Sequence, residues 1–108
     1  MDASNQIEVP PSFSQLFRSR SGRLLQPAET VLQRYELCED LACTLTEQAQ
    51  QLYQRGHSDE EAVLLGLYHA IAGEGAGLAQ AEARWVIQRL AELLDWHSPS
   101  LPPLVPEA

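Results

Sequence analysis

The sequence predicts an all-α protein: three main helices in a small bundle, a short N-terminal helix, and disordered termini. Three observations carry this. Apolar or small residues at Val31, Tyr35, Cys38, Ala42, Leu45, Ala49 and Leu52 follow alternating spacings of four and three, a heptad seam. Two shorter stretches repeat helical spacing, and each boundary carries a start or stop signal. No period of about 20 to 50 residues recurs, which excludes a solenoid.

Residues 1–11 and 98–108 read as disordered tails, because the first is polar with two adjacent prolines and the second holds four of the seven prolines. Residues 12–97 read as a single helical domain. Pro99 to Pro102 and Pro103 to Pro106 have the spacing of a PxxP ligand, a pattern that any proline-rich terminus also produces. At the N-terminal end, Ser12 and Gln15 stand three apart as a capping pair around Phe13, Leu16 and Phe17, which predicts one or two helical turns. The stretch 18–23, RSRSGR, then returns the chain to solvent.

The long helix is predicted from Pro27, suited to a first helical position, to Arg55, with Gly56 just past its end. Cys38, Ala42 and Ala49 are small enough for a neighbouring helix to approach closely, and Leu37 and Leu41 widen the stripe. The second helix opens with Ser58 and Glu61 as a capping box, and Asp59, Glu60 and Glu61 suit the positive end of its dipole. Its body, 62–72, buries Val63, Leu64, Leu67, Tyr68 and Ile71, and Gly73 begins the exit. The third helix runs from about Ala79 to Asp95 on Ala83, Val86, Ile87, Leu90 and Leu94, with Trp85 and Leu93 on its flanks. Trp96, His97, Ser98 and Pro99 end it.

Helix lengths raise a question of coverage. At 1.5 Å per residue the first spans about 43 Å and the others about 21 and 25 Å. The second, running back from Gly56, covers only the part of the first near Ala42 to Leu52. Val31, Tyr35, Cys38 and Leu41 are left for the third helix, the Phe13 segment or another molecule. Nine linker residues reach about 30 Å when extended, so Phe13, Leu16 and Phe17 can fold back onto that seam. A mobile partner-binding peptide is the other reading of the same trio.

Composition excludes several chemistries. Seven arginines, no lysine and fifteen carboxylates give a net charge of −8, and an acidic surface repels phosphate backbones, so no nucleic acid is expected. The missing lysine rules out a P-loop. Gly73, Gly75 and Gly77 in GEGAG resemble a phosphate loop, but a helix precedes them where a nucleotide fold needs a strand, and Glu74 adds a repelling charge. A turn between helices explains them. With no signal peptide or long apolar run, a cytoplasmic location away from membranes is expected. Cys38 and Cys43, about 140° apart around one helix, are badly placed to pair and suit a reducing compartment.

Glu36, Glu39 and Asp40 share one side of the long helix, at spacings that could hold a divalent cation. The Glu-x-x-His that completes carboxylate metal sites in helical bundles is missing at His57, His69 and His97. A solvated acidic face, or a contact for a partner, accounts for them. Neither a Ser or Cys nucleophile with its base nor a Cys-x-x-Cys pair is recognisable. No enzyme activity, cofactor or metal is therefore expected.

The run 34–42, RYELCEDLA, with PSF at 11–13 and EARWVIQRLAELL at 82–94, resembles a family of small uncharacterised bacterial helical proteins, some labelled "ATPase with chaperone activity". The resemblance covers most of residues 11–96 and implies a helical bacterial protein with no assigned site. The sequence as a whole reads as a protein-interaction or regulatory module. Its contact residues are drawn from Phe13, Leu16, Phe17, Glu36, Glu39 and Asp40, its partner is an unidentified protein, and a homodimer through the uncovered seam is the extension. A helical protein binding a small molecule or metal is the alternative.

Overall fold

Helix boundaries fall where the chain supplies a proline, an acceptor or a left-handed residue. The computed structural model describes residues 8–56, 59–73 and 77–102. It places α1 at Pro11–Ser14, continued by a single 3₁₀ turn at Gln15–Phe17, α2 at Ala28–Gln54, α3 at Glu60–Ala72 and α4 at Gln80–Leu94. The all-α class is as predicted, with a short N-terminal helix ahead of three main ones. Among the described residues there is no strand, only an isolated antiparallel bridge between Arg18 and Leu24.

Two caps differ from those predicted. α1 begins at Pro11 with Pro10 in the cap position, and the Pro10 carbonyl accepts from the amides of Phe13 and Ser14. Proline presets the first helical φ, so no Ser12–Gln15 box is needed. In α3 the cap is Asp59, whose Oδ1 accepts from the Ala62 amide at 2.8 Å; the predicted Ser58 lies outside the described residues. A charged acceptor at the positive helix end does the same work one residue later. α4 opens with the Ala79 amide donating to Glu82 Oε1 at 3.0 Å. It closes on Asp95 in the left-handed region (φ 59°), and the Trp96 amide reaches back to the Ala91 carbonyl at 2.9 Å, a Schellman-type ending.

The chain divides into two compact units, Met1–Leu37 and Cys38–Ala108, the boundary falling inside α2. In the first, Phe13 is fully buried. Its ring meets Phe17 at 5.5 Å and Tyr35, edge-on, at 5.6 Å. The N-terminal trio therefore folds back onto the start of α2, with Leu16 and Phe17 half-buried. The linker after it is more ordered than a plain return to solvent. The Ser19 amide donates to the Arg23 carbonyl and the Leu25 amide to the Phe17 carbonyl, at 2.8 and 2.7 Å. Gly22 supplies the positive φ the turn requires (88°), and the Arg18 guanidinium donates to its carbonyl at 2.8 Å.

In the second unit, Cys38, Ala42, Leu45 and Ala49 of α2 are buried with Val63, Leu64, Leu67 and Tyr68 of α3 and Ala83, Trp85, Val86, Ile87, Leu90 and Ala91 of α4. α3 packs on α4. The three helical segments alternate in direction: α2 around Gln48 to Arg55 borders α3, while residue 100, after α4, returns to Glu61 at the start of α3. Arg84 donates to the Pro102 carbonyl, so the chain beyond α4 stays on this unit through residue 102. The predicted stripe frays at two places, since Leu37 is 48% and Leu52 38% exposed. A straight α-helix drifts about 20° per heptad against a strict seven-residue repeat. By Leu52 the seam has turned out of the core, and Leu37 lies one residue off it. No helix among the described residues is long and apolar enough to cross a membrane.

Two outcomes follow. Phe13→Ala empties a fully enclosed ring site and should lower unfolding free energy by about 3 kcal/mol in urea titration. Asp95→Gly relieves a positive φ and should raise stability by about 0.5–1 kcal/mol in the same assay.

Candidate functional site

The three carboxylates singled out from the sequence do not behave alike. Glu36 and Asp40 are exposed. Glu39 is half-buried and grips Arg89 of α4: Nε donates to its two oxygens at 2.9 and 3.2 Å, and Nη2 to Oε2 at 3.0 Å. Arg89 Nη1 also reaches Glu92 at 3.1 Å. The solvated-face reading therefore fails for Glu39, whose charge is met inside its own unit by a planar fork. Hydrogen bonding to Glu39 is the main reason the Arg89 guanidinium is held above its ordinary range, against the lowering effect of burial.

The apolar trio is divided as well. Phe13 is enclosed and offers no surface to a partner, while Leu16 and Phe17 keep part of theirs. Among the imidazoles, His69 is exposed beside the Tyr68 ring. His97 lines a depression of about 310 Å³ with Tyr53, Asp59, Glu60 and Glu61. Among the described residues no group of three His, Cys, Asp or Glu side chains is placed to hold a metal ion. His57, Glu74 and Gly75 lie outside the described residues; Gly77 takes a left-handed φ of 81° just before α4.

A more apolar feature lies between α2 and α3. Leu52, turned outward by the seam drift, forms one wall with Gln48 and Arg55. Ala62, Val63, Gly66, Leu67 and Ala70 form the other wall and floor. The cleft encloses about 460 Å³. On the far side of the Gln48–Leu52–Arg55 ridge a second depression adds Thr44, Glu47 and Gln51. Along α3 the lining residues Ala62, Gly66 and Ala70 recur every fourth position and all are exposed, so they share one open face. Val63 and Leu67, one position on, turn inward as core.

Gly66 is the residue that the fold itself does not explain. It sits in the interior of α3, where glycine costs about 1 kcal/mol relative to alanine. A Cβ placed there would meet nothing within 4 Å. Neither tight packing in this chain nor a left-handed φ demands it. The sequence held the signal as Ala62-x-x-x-Gly66-x-x-x-Ala70, but a reading keyed to large apolar residues passes over it.

The charged residue lining the cleft is Arg55, in a unit whose sequence is otherwise strongly acidic. Residues 38–108 hold eleven carboxylates and three arginines, whereas residues 1–37 hold four of each. Within 38–108, Arg89 is bound by Glu39 and Glu92 and Arg84 by a backbone carbonyl. Arg55, at one end of the cleft, makes no ion pair among the described residues. No protein-family model, curated protein or solved structure matches the chain.

The Glu39–Arg89 fork is partly open to solvent, with side chains 23% and 33% exposed, so its strength is moderate. A double-mutant cycle of Glu39→Ala and Arg89→Ala should return a coupling of about 0.5–1 kcal/mol that shrinks at high salt. Zero coupling at low salt would show that the fork adds nothing to stability.

Proposed function

We propose that the protein is a protein-interaction module whose binding surface is the α2–α3 cleft. The observation that carries this reading is Gly66, a helix-interior glycine facing open space, flanked at four-residue spacing by Ala62 and Ala70. A chain stabilised only by its own packing gains from a side chain at that position. A chain that receives another element there gains from its absence, because the approaching backbone can come closer. The outward turn of Leu52 gives the same surface an apolar anchor. Glu36 and Asp40 remain exposed on α2 as further contact residues, and Glu39 is withdrawn from that role. The reading assigns no catalytic step and no cofactor. Neither Cys38 nor Cys43 is in a disulfide, and the reducing cytoplasm is the compartment that suits such thiols.

Wild-type protein, Gly66→Leu and the control Gln50→Ala serve as baits under identical conditions. Leucine favours the helix over glycine, so loss of binding by Gly66→Leu cannot be ascribed to unfolding, and a thermal melt verifies this. The expected result is a protein set retained by wild type and Gln50→Ala and lost by Gly66→Leu. Identical retention by all three baits, with saturable heats for a divalent cation or nucleotide in calorimetry, would replace this reading with that of a small-molecule binder.

A further inference from the structure

Three of the seven arginines, Arg18, Arg20 and Arg23, fall within six residues, and the first unit holds them on an ordered turn. The Gly22 amide donates to the Ser19 carbonyl at 2.9 Å and the Ser19 amide to the Arg23 carbonyl at 2.8 Å. The Arg23 amide also donates to Ser19 Oγ at 3.2 Å. Arg20 stands at the tip, and all three arginines are exposed. The Arg18 guanidinium braces the turn through the Gly22 carbonyl. None of the three makes an ion pair among the described residues, and the side chains of Arg20 and Arg23 hold nothing of the turn together. A rigid loop that concentrates unpaired cations at its tip presents them to an acidic surface.

The second unit carries a surface of that kind. The depression of about 310 Å³ is lined by Asp59, Glu60 and Glu61 together with Tyr53 and His97. Asp59 and Glu61 each accept one backbone amide, from Ala62 and Ser100. None of the three carboxylates is in an ion pair among the described residues. The helix dipole favours acids in the first turn of α3, but it does not account for the ring beside them. Tyr53 is 43% exposed, and Trp96 packs against it with ring centres 5.3 Å apart, which fixes the ring as a wall of the depression. Carboxylates beside an aromatic face match a guanidinium: the oxygens accept its N–H groups, and the ring face attracts its charge. The volume holds one long side chain and no folded element.

We infer that the arginine turn of one copy docks on this depression of a second copy, with Arg20 entering between Tyr53 and the carboxylates and Arg23 beside it. Each copy carries a net charge of −8, yet at physiological salt exposed charges are screened beyond about 8 Å. Opposite charges in contact therefore outweigh like charges farther away. This surface shares no residue with the α2–α3 cleft, so the inference goes beyond the proposed module and stands or falls without it.

Sedimentation velocity of the full chain, across a concentration series at physiological salt, should show reversible self-association that weakens as salt rises. Reversing the turn with Arg20→Glu and Arg23→Glu should weaken it about tenfold or more, and so should reversing the depression with Glu60→Lys and Glu61→Lys. An equal mixture of the two reversed proteins should associate again, because each then meets opposite charge on the other. Tyr53→Ser, which leaves every charge in place, should weaken association as well. A thermal melt verifies that each variant is folded; should the depression variant unfold, the turn variant and Tyr53→Ser decide alone. Wild type that stays monomeric throughout overturns the inference, as does association indifferent to the turn variant, or a folded mixture that fails to associate. Association abolished by Gly66→Leu overturns it too, since the second copy would then sit in the cleft.

Discussion

The second unit depends on the smallness of one helix face. Cys38, Ala42 and Ala49 on that face are small, Leu45 being its large buried residue, and most of the unit's buried bulk lies on the other helices: Leu64 and Leu67 on α3, Val86, Ile87 and Leu90 on α4. This division of volume fills a core by setting large residues against small ones. It also sets the limits of the core. Where α2 places a leucine at the next heptad position, Leu52, the seam has already rotated outward. The same drift that ends the core opens the cleft, and the two features are one piece of geometry.

Most of the helical architecture is legible in the sequence because it is local. Spacings of three and four, a proline before and a glycine after, placed the ends of α2 within one residue of Ala28 and Gln54. At the start of α3, Ser58 and Asp59 are adjacent and both can accept a hydrogen bond, so spacing alone does not separate them; Asp59 is the residue that caps the helix. The Glu39–Arg89 fork could not be read at all, since its partners lie 50 residues apart and nothing local marks either. Glu39 had the spacing of a solvated face residue and became a tertiary contact. The cleft falls between these cases. Its small residues are periodic, yet they are visible as a surface only once Val63 and Leu67 are known to point the other way.

Charge is distributed as unevenly as volume. The first unit balances four arginines against four carboxylates, and its arginine-rich turn is tied by hydrogen bonds from Arg18 to Gly22 and from the Arg23 amide to Ser19 Oγ. The entire net charge of the protein therefore resides in residues 38–108. Self-repulsion there works against compactness, and the bidentate fork, with the Arg84 contact to Pro102, brings cations to two points of that surface. The rest of that unit keeps its excess of negative charge beside the exposed side chains of Leu52 and Leu93.

The two thiols of α2 have a consequence of their own. Cys38 is buried and Cys43, barely more than a turn further on, is exposed. An alkylating reagent meets Cys43 in the folded protein. It meets Cys38 only when the helices around it part. One chain thus contains both a clock and its reference: the ratio of the two labelling rates measures how often the core of the second unit opens, with no mutation and no added probe in the structure itself.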